Sequence, residues 1–360
     1  MRIDRRTFLV HTLAGTAGCA IATACSRSRG SEPLGKATRY LWAQQSEDGG
    51  FHSTTYGLLR SGQSLTPFVL VALLKVSDNA SHPRGGIERA LTFIKTKTNA
   101  DGVLGMMDET AADYPNYATA LAVSALVKTR TPGYERVIQP MVAQLRAQQF
   151  GDESGWKPKD FPYGSWGMGG TILRPPFAGH VDLSMTRYVL EALQQSGIPA
   201  SDQVMSRALV FLERSQNPDG GFYFSPVNPE INKAGKGGDG HPTSYATATA
   251  DGVLALRAAG IPDTDPRIAK AIKWLKDHHQ PDRAPGFDGE ADQSWGSGLR
   301  FYYAHAISRV LPELPVKLPP QASDGSFRNT NNLVKEDDPL IATAFALYAL
   351  KRDYEKDEKN

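Results

Sequence analysis

A short motif recurs six times along the chain, and this self-similarity constrains the fold more than any other feature. Residues 45–51 read QSEDGGF and residues 216–222 read QNPDGGF, so that the glutamine, the glycines and the phenylalanine keep the same spacing. Weaker copies place a glycine and often an aromatic residue after an apolar pair or a glutamine, over 93–102, 145–156, 274–287 and 321–327. Such a repeat predicts one supersecondary unit that is stacked several times.

Each copy of the motif ends an amphipathic helix and is followed by a helix of different character. The first kind has apolar residues on one face and charges on the other, which predicts an outer layer over about 34–45, 85–97, 134–149, 201–216 and 265–279. The second kind is rich in Ala, Thr, Leu and aromatics on all sides, which predicts buried inner helices over about 66–76, 115–129, 182–196, 243–259, 294–311 and 338–351.

The alternation of these two kinds of helix predicts an all-α fold. We expect an α/α toroid of about six hairpins over 33–355, with a ring of parallel inner helices inside a ring of outer helices. An open solenoid is the alternative. Four prolines within 311–320 predict that the last outer helix is degenerate. We expect residues 26–32 to be a linker and residues 356–360 to be a disordered tail.

Residues 1–25 have the pattern of an export signal. Arg5-Arg6 precede a short apolar run, which resembles a twin-arginine signal, and a small-residue cleavage site precedes Cys25. We therefore expect an exported protein that is periplasmic or is anchored to a membrane by a lipid on Cys25. Without this segment the chain is formally neutral, which gives no indication of nucleic-acid binding.

The predicted mature domain has no cysteine, because Cys19 and Cys25 are the two in the sequence. This excludes an internal disulfide, a cysteine nucleophile and a thiolate metal site. The remaining polar residues show no spacing typical of metal ligands, and nothing in the sequence indicates a cofactor.

The glutamine-to-glycine-to-aromatic endings resemble the repeats of squalene–hopene cyclases and of protein prenyltransferase β-subunits. The chain is most similar to bacterial prenyltransferase/squalene oxidase repeat proteins, in which Asp182-Leu183-Ser184-Met185-Thr186 resembles a recurrent start of an inner helix. The resemblance implies a closed toroid and an activity, if any, of the terpene cyclase/mutase or transferase kind.

Three departures from these families limit the implied chemistry. The length suffices for one toroid, whereas squalene cyclases have two. The Asp-x-Asp-Asp acid of the cyclases is missing, and the nearest string, Glu336-Asp337-Asp338, is more typical of a helix cap. The zinc site of the prenyltransferases needs a cysteine that the predicted mature domain lacks.

The loops that connect outer to inner helices are long, and they should all lie at one rim of the ring. They cover about 150–181, 217–242, 280–293 and 321–337. Long loops on a rigid scaffold commonly carry function, and the N-termini of the inner helices favour anions at the same rim. We therefore expect a site in the mouth and central cavity there, whereas the motif aromatics Phe51, Trp156, Phe222 and Phe327 should pack their loops.

Asp251 is the main catalytic candidate, because a carboxylate in the middle of an Ala/Thr-rich helix needs a partner or a cavity. We expect Arg300 to be that partner across the bore. Asp182 with His180 is the second candidate, as an acid–base pair or, for Asp182, simply an N-cap. The predicted cavity or rim residues are His241, Tyr245, Trp295, Arg300, Tyr188 and Trp166.

The function class stays open between two main hypotheses. The first is an exported toroid that binds or transforms an isoprenoid or another hydrophobic small molecule in the central cavity. The second is a noncatalytic extracytoplasmic protein that binds a peptide, a glycan or a lipid. A glycan-degrading toroid would need paired carboxylates, and the sequence offers only the isolated Asp251.

Overall fold

The computed structural model describes residues 32–76, 83–107, 111–287 and 293–357. The predicted export signal, the lipidation candidate Cys25 and most of the predicted linker lie outside these residues. The helix that begins the described part already includes residue 32, and the last helix continues to Asp357. The predicted domain boundaries at 33 and 355 stay predictions.

The described residues contain twelve α-helices and no strand longer than a single bridge. The outer helices are α1 (32–43), α3 (Gly86–Lys97), α5 (Glu135–Ala147), α7 (Gln203–Arg214) and α9 (Pro266–His278). The inner helices are α2 (Leu65–Val76), α4 (Pro115–Thr129), α6 (Leu183–Gln195), α8 (Ala246–Ala258), α11 (Arg300–Val310) and α12 (Pro339–Asp357), with the short α10 (Gln293–Gly298) leading into α11.

The inner helices form a closed ring. Each contacts the next in chain order, from α2 through α4, α6, α8 and α11 to α12, and α12 packs back against α2. Small side chains make this possible, since Ala118, Ala250 and Ala346 are fully buried where inner helices meet. The predicted α/α toroid is confirmed, and the open solenoid is wrong.

The glutamine of the motif joins successive outer helices. The Gln45 side-chain amide donates to the carbonyl of Gly49 in its own turn, at 3.0 Å, and to that of Gly86 at the start of α3, at 2.8 Å. Gln149, Gln216 and Gln321 make the same pair of bonds in their own turns. Gly49 is in the left-handed region, with φ +88°, and a Cβ there would lie 2.4 Å from the carbonyl oxygen of Arg89. The close approach of turn and helix therefore requires glycine.

The same joint closes the ring where the last outer helix is missing. Residues 311–320 form no helix, as the prolines predict. Gln321 then donates to the carbonyl of Pro33 at 3.0 Å, in the first turn of α1. The beginning and the end of the domain are thus held together by a motif bond rather than by a helix pair.

The aromatic residue of the motif is fixed by a threonine of the following inner helix. The backbone N–H of Phe51, Phe222 and Phe327 donates to a threonine hydroxyl on α2, α8 and α12, at 2.8 to 3.0 Å. This bond explains the threonines that interrupt the alanine-rich inner helices. The predicted packing role of these phenylalanines is confirmed, since each is buried.

In the third repeat the motif ends later than the sequence suggests. Gln149 bonds the carbonyl of Gly164, and the N–H of Trp166 approaches the hydroxyl of Thr186 at 3.3 Å. Trp166, not Trp156, therefore occupies the motif position, and residues 151–163 are an insertion in the turn.

No helix in the described part of the chain has the length and apolar character to cross a membrane.

A central cavity at the loop rim

The inner helices enclose a cavity of about 450 Å³ at the rim where they begin. Its wall is mainly aliphatic and aromatic, and ligand pockets in proteins commonly have this size and composition. The apolar side chains are Leu59, Leu65, Phe68, Met168, Leu183, Met185, Phe224, Leu299, Ile341 and Phe345, and the tyrosines are Tyr114, Tyr117, Tyr245 and Tyr302. The predicted position of the cavity at the loop rim agrees with this geometry.

Asp251 lies in the wall of this cavity, in the second turn of α8. One carboxylate oxygen accepts a hydrogen bond from Nε of Arg187 at 3.0 Å, and the other accepts from the hydroxyl of Tyr302 at 2.7 Å. Burial raises the pKa of Asp251 to about 6, although Arg187 and the Tyr302 hydroxyl oppose this. We refer to Asp251, Arg187 and Tyr302 as the floor of the cavity.

The predicted pairing of Asp251 with Arg300 is wrong. Arg300 is the first residue of α11, and its guanidinium donates to the carbonyl of Lys317 at 3.0 Å. It therefore binds the proline-rich segment outside the inner ring. The partner is Arg187, which is fully buried on α6.

The floor continues into a charged network that extends away from the cavity. Arg187 also contacts Glu191 at 3.1 Å, and Glu191 is bound by Arg309 at 2.6 Å. Tyr188 lies against this network rather than in the cavity wall, with the Arg187 guanidinium 3.4 Å from the centre of its ring. The bore of the ring is therefore filled by paired charges beyond the floor.

At the rim, Asp182 caps α6 and pairs with His180. Its carboxylate accepts from the N–H of Met185 at 2.7 Å and from the Ser184 hydroxyl at 2.8 Å, and Nε2 of His180 lies at 2.9 Å. Burial opposes ionisation, but the bonds from His180 and Met185 hold the pKa of Asp182 below its ordinary value. His180 and Asp182 both line the cavity, and a catalytic role for them stays a prediction.

Three other predicted site residues are placed differently by the structure. His241 is exposed on a turn closed by a bridge between Lys236 and Pro242, and it does not line the cavity. Trp166 is fully buried and donates to the carbonyl of Leu145 at 2.6 Å, so it does not line the cavity. Trp295 is half-buried on α10, beside the cavity rather than in its wall. Tyr245 does line the cavity, at the start of α8.

Two lysines in the cavity wall belong to no sequence pattern that indicates a site. Nζ of Lys233 lies 3.7 Å from the centre of the Phe224 ring, and burial lowers the pKa of this lysine to about 8. Lys335 reaches the Tyr114 hydroxyl at 3.4 Å from a backbone with φ +63°. Both come from long loops, where a lysine usually indicates only a solvated surface.

Glu336 also borders the cavity but is occupied with a structural role. It is fully buried and accepts from the N–H groups of Phe301 and Tyr302, at 2.9 and 2.7 Å, and from the side-chain amide of Asn329 at 2.8 Å. Burial raises its pKa to about 7 against these donors. Glu336 thus caps α11, whereas Asp338 of the same string caps the following α12, as predicted, by accepting from the N–H of Leu340 at 2.9 Å. Within the described ranges, no group of three His, Cys, Asp or Glu is placed to hold a metal.

The closed double ring with a cavity at one rim defines an α/α toroid. Residues 171–302, which include Asp182, Arg187, Lys233 and Asp251, match the family model of the squalene–hopene cyclase C-terminal domain. The resemblance to squalene-cyclase-like proteins that the sequence indicates is therefore confirmed. A comparison with curated proteins finds no match.

Several solved structures share the fold at low sequence identity. The type II terpene cyclase MstE from Scytonema, in complex with geranylgeranyl dihydroxybenzoate, superposes with a TM-score of 0.56 at 14% identity, over 92% of this chain and 99% of the cyclase. A protein from Actinoplanes gives 0.54 at 18% identity, over 90% and 99%. An unsaturated glucuronyl hydrolase specific for heparin gives 0.56 at 12% identity, over 93% and 98%. At these identities the comparison concerns the fold alone.

Proposed function

We propose that this chain binds an isoprenoid-like or similarly elongated apolar molecule in the central cavity. The observation that carries the proposal is the cavity itself, whose wall is mainly aliphatic and aromatic and which is closed at one end by the floor. Burying apolar ligand surface against such a wall is favourable by about 25 cal/mol per Å². The MstE neighbour, which holds a geranylgeranyl compound, supports the same ligand class.

The polar groups of the cavity make a glycan a poorer candidate. A sugar needs several free hydrogen-bonding groups, and glycoside hydrolysis usually needs two carboxylates placed across the bond. Both oxygens of Asp251 already accept bonds, and Asp182 is committed to the cap of α6 and to His180. We therefore favour an apolar ligand over a glycan, although the fold is shared with a glucuronyl hydrolase.

A second candidate function is acid-initiated transformation of the bound molecule. It is favoured by Asp251, a buried carboxyl in an apolar cavity whose pKa is raised to about 6. Asp251→Asn separates the two functions, since the amide keeps the size of the side chain but cannot donate an acidic proton. Retained binding with lost conversion supports catalysis, whereas absence of conversion in the unaltered protein leaves binding as the function.

The proposal is tested by blocking the cavity. Ala248 lines the cavity on α8, and Ala248→Trp fills part of it. Titration calorimetry of the delipidated protein with farnesol should show binding that this change weakens at least about tenfold, as loss of most of the buried contact area requires. Ala143→Trp on the exposed face of α5 is the matched control and should bind as the unaltered protein does. Equal affinity in both variants, with unchanged circular dichroism, would contradict the cavity as the site.

Export and acylation at Cys25 stay predictions from the sequence. Labelling of cells with a radioactive fatty acid tests them, because only an exported and acylated chain acquires the label through Cys25. Cys25→Ala should abolish the label, and label that persists in this variant would contradict the assignment.

A further inference from the structure

We propose that the ligand of the cavity carries an anionic head group, a carboxylate or a phosphate, which Lys233 and Lys335 bind at the mouth. This inference rests on the proposed function, because it assumes that the apolar part of the same molecule occupies the cavity. It adds the chemistry of the polar end of that molecule.

Lys233 gives the stronger evidence for an anionic head group at the mouth. Its ammonium group faces the cavity over the ring of Phe224, at 3.7 Å, with the ring of Trp295 at 5.8 Å. Aromatic rings attract a cation but do not neutralise it. In the part of the chain that the structure describes, no carboxylate oxygen lies within 4 Å of this nitrogen, although Asp182 and Asp251 raise its pKa from a greater distance. A half-buried cation without a counter-ion is costly, and an anionic ligand would remove that cost.

Lys335 approaches the cavity from another sector of the rim. Its nitrogen lies 5.7 and 5.8 Å from the rings of Tyr56 and Tyr114. These tyrosines precede α2 and α4, whereas Phe224 precedes α8. Its hydrogen bond to the Tyr114 hydroxyl is long, at 3.4 Å, and satisfies one of three N–H groups. The two ammonium groups therefore border the mouth from different sides.

The carboxylates around the cavity already accept hydrogen bonds from neighbouring donors, whereas neither lysine contacts a carboxylate. Asp182 has His180 and the N-terminus of α6, and Asp251 has Arg187 and Tyr302. Glu336 has two backbone N–H groups and Asn329. The N-termini of the inner helices add partial positive charge at the same rim. The mouth therefore presents two ammonium groups that no carboxylate of the described residues contacts within 4 Å.

A purely structural role for Lys233 predicts a different result from a ligand-binding role. A lysine that only covers Phe224 with its aliphatic chain would make no distinction between an acid and an alcohol of the same chain. The two can be separated with farnesol, farnesoic acid and farnesyl monophosphate, which share the apolar chain and differ in the head group.

Titration calorimetry of the whole delipidated protein with the three compounds is the test. We expect the acid or the phosphate to bind about tenfold or more tightly than the alcohol, as charge-assisted hydrogen bonds require. Whichever anion binds more tightly identifies the head group. Lys233→Met should remove most of this preference, and Lys335→Met should remove a smaller part. Lys236→Met, on the exposed part of the same loop as Lys233, is the control and should keep the full preference.

Different results would overturn the head-group proposal and the proposed function. Equal binding of the alcohol and both anions by the unaltered protein, or a preference that survives Lys233→Met and Lys335→Met together, overturns the head-group proposal while the cavity stays a binding site. Absence of binding of all three compounds overturns the proposed function itself.

Discussion

The two ends of the inner ring use charged residues in opposite ways. At the end opposite the loop rim, a second depression of about 510 Å³ is lined by polar residues that include Glu191, Arg257, Arg309 and Arg352. These arginines all have partners there: Arg257 contacts Asp263 at 2.7 Å, Arg309 contacts Glu191 at 2.6 Å, and Arg352 donates to the carbonyl of Leu314 at 2.9 Å. Cations are also favourable near the C-termini of the inner helices, which lie at this end.

At the loop rim the cavity is mainly apolar, and its two lysines have no carboxylate partner among the described residues. The difference shows that a count of charges does not locate a site. At one end the arginines are paired, and at the other two ammonium groups lack a carboxylate partner, which is where we propose that a ligand binds. The floor, with Asp251, Arg187 and Tyr302, separates the two ends.

The largest effect is expected where the floor is broken. Arg187→Met leaves Asp251 and Glu191 buried without their shared partner, which should cost about 3–5 kcal/mol in the free energy of unfolding. Urea denaturation followed by circular dichroism measures this cost. A loss below about 1 kcal/mol would show that Asp251 and Glu191 do not depend on Arg187 as their buried partner.

The loop rim should also give the protein a pH-dependent stability. Burial raises the pKa of Glu336 from 4.5 to about 7, so the folded protein holds a proton that the unfolded chain has released. Glu336 should therefore contribute a fall in the free energy of unfolding of on the order of 3 kcal/mol as the pH rises from about 4.5 to about 7. Burial lowers the pKa of His305, which contributes in the opposite direction below its ordinary pKa.

Glu336→Gln is the comparison for this pH profile. The variant lacks the titrating group and should lose this contribution, whereas the contributions of Asp251 and His305 remain in both proteins. Urea denaturation at pH 5, 6, 7 and 8 distinguishes the two proteins. Parallel profiles would contradict the assignment to Glu336.

A moderate effect is expected at the cap of α6. Asp182→Ala should cost about 1 kcal/mol, whereas Asp182→Asn should cost a few tenths, because asparagine caps a helix nearly as well as aspartate does. Thermal unfolding of both variants gives the comparison. An asparagine variant as unstable as the alanine variant would show that the pairing with His180, rather than the cap, carries the stability.

The smallest effect is expected at the exposed pair of the opposite end. Arg257→Met removes the contact with Asp263 and should cost less than about 1 kcal/mol, since both side chains are partly in solvent. It should leave the affinity for farnesoic acid unchanged. Weakened binding in this variant would place the ligand at the end opposite the loop rim, which would contradict the proposed site.

The helices and the ring could be predicted from the sequence because each repeat carries a local pattern of burial. The Ala/Thr-rich segments differ in composition from the amphipathic ones. The prolines of 311–320 predict that the last outer helix is absent. The position of the third motif could not be predicted, because the insertion at 151–163 contains its own glycine and tryptophan. The closing bond from Gln321 to Pro33 joins residues 288 positions apart, and no local pattern encodes it.

The site could be predicted only where one residue conflicts with its surroundings. Asp251 was found because a carboxylate is unusual within an alanine-rich helix. Its partner was missed because the choice between Arg187 and Arg300 depends on the rotation of α6 and α11 about their axes. Arg187 with Glu191 does have the spacing of a helical ion pair, and that is the signal that could have found it. Lys233 gave no signal, because its environment is created by the fold of a long loop.

Photo-crosslinking with a diazirine-bearing farnesol analogue, followed by mass spectrometry of the labelled peptides, tests most directly whether the loop-rim cavity is the ligand site. We expect label on residues of the cavity wall, such as Met168, Met185 and Phe224, and loss of that label in Ala248→Trp. Label concentrated around Glu191, Arg309 and Tyr348 at the opposite end would contradict it.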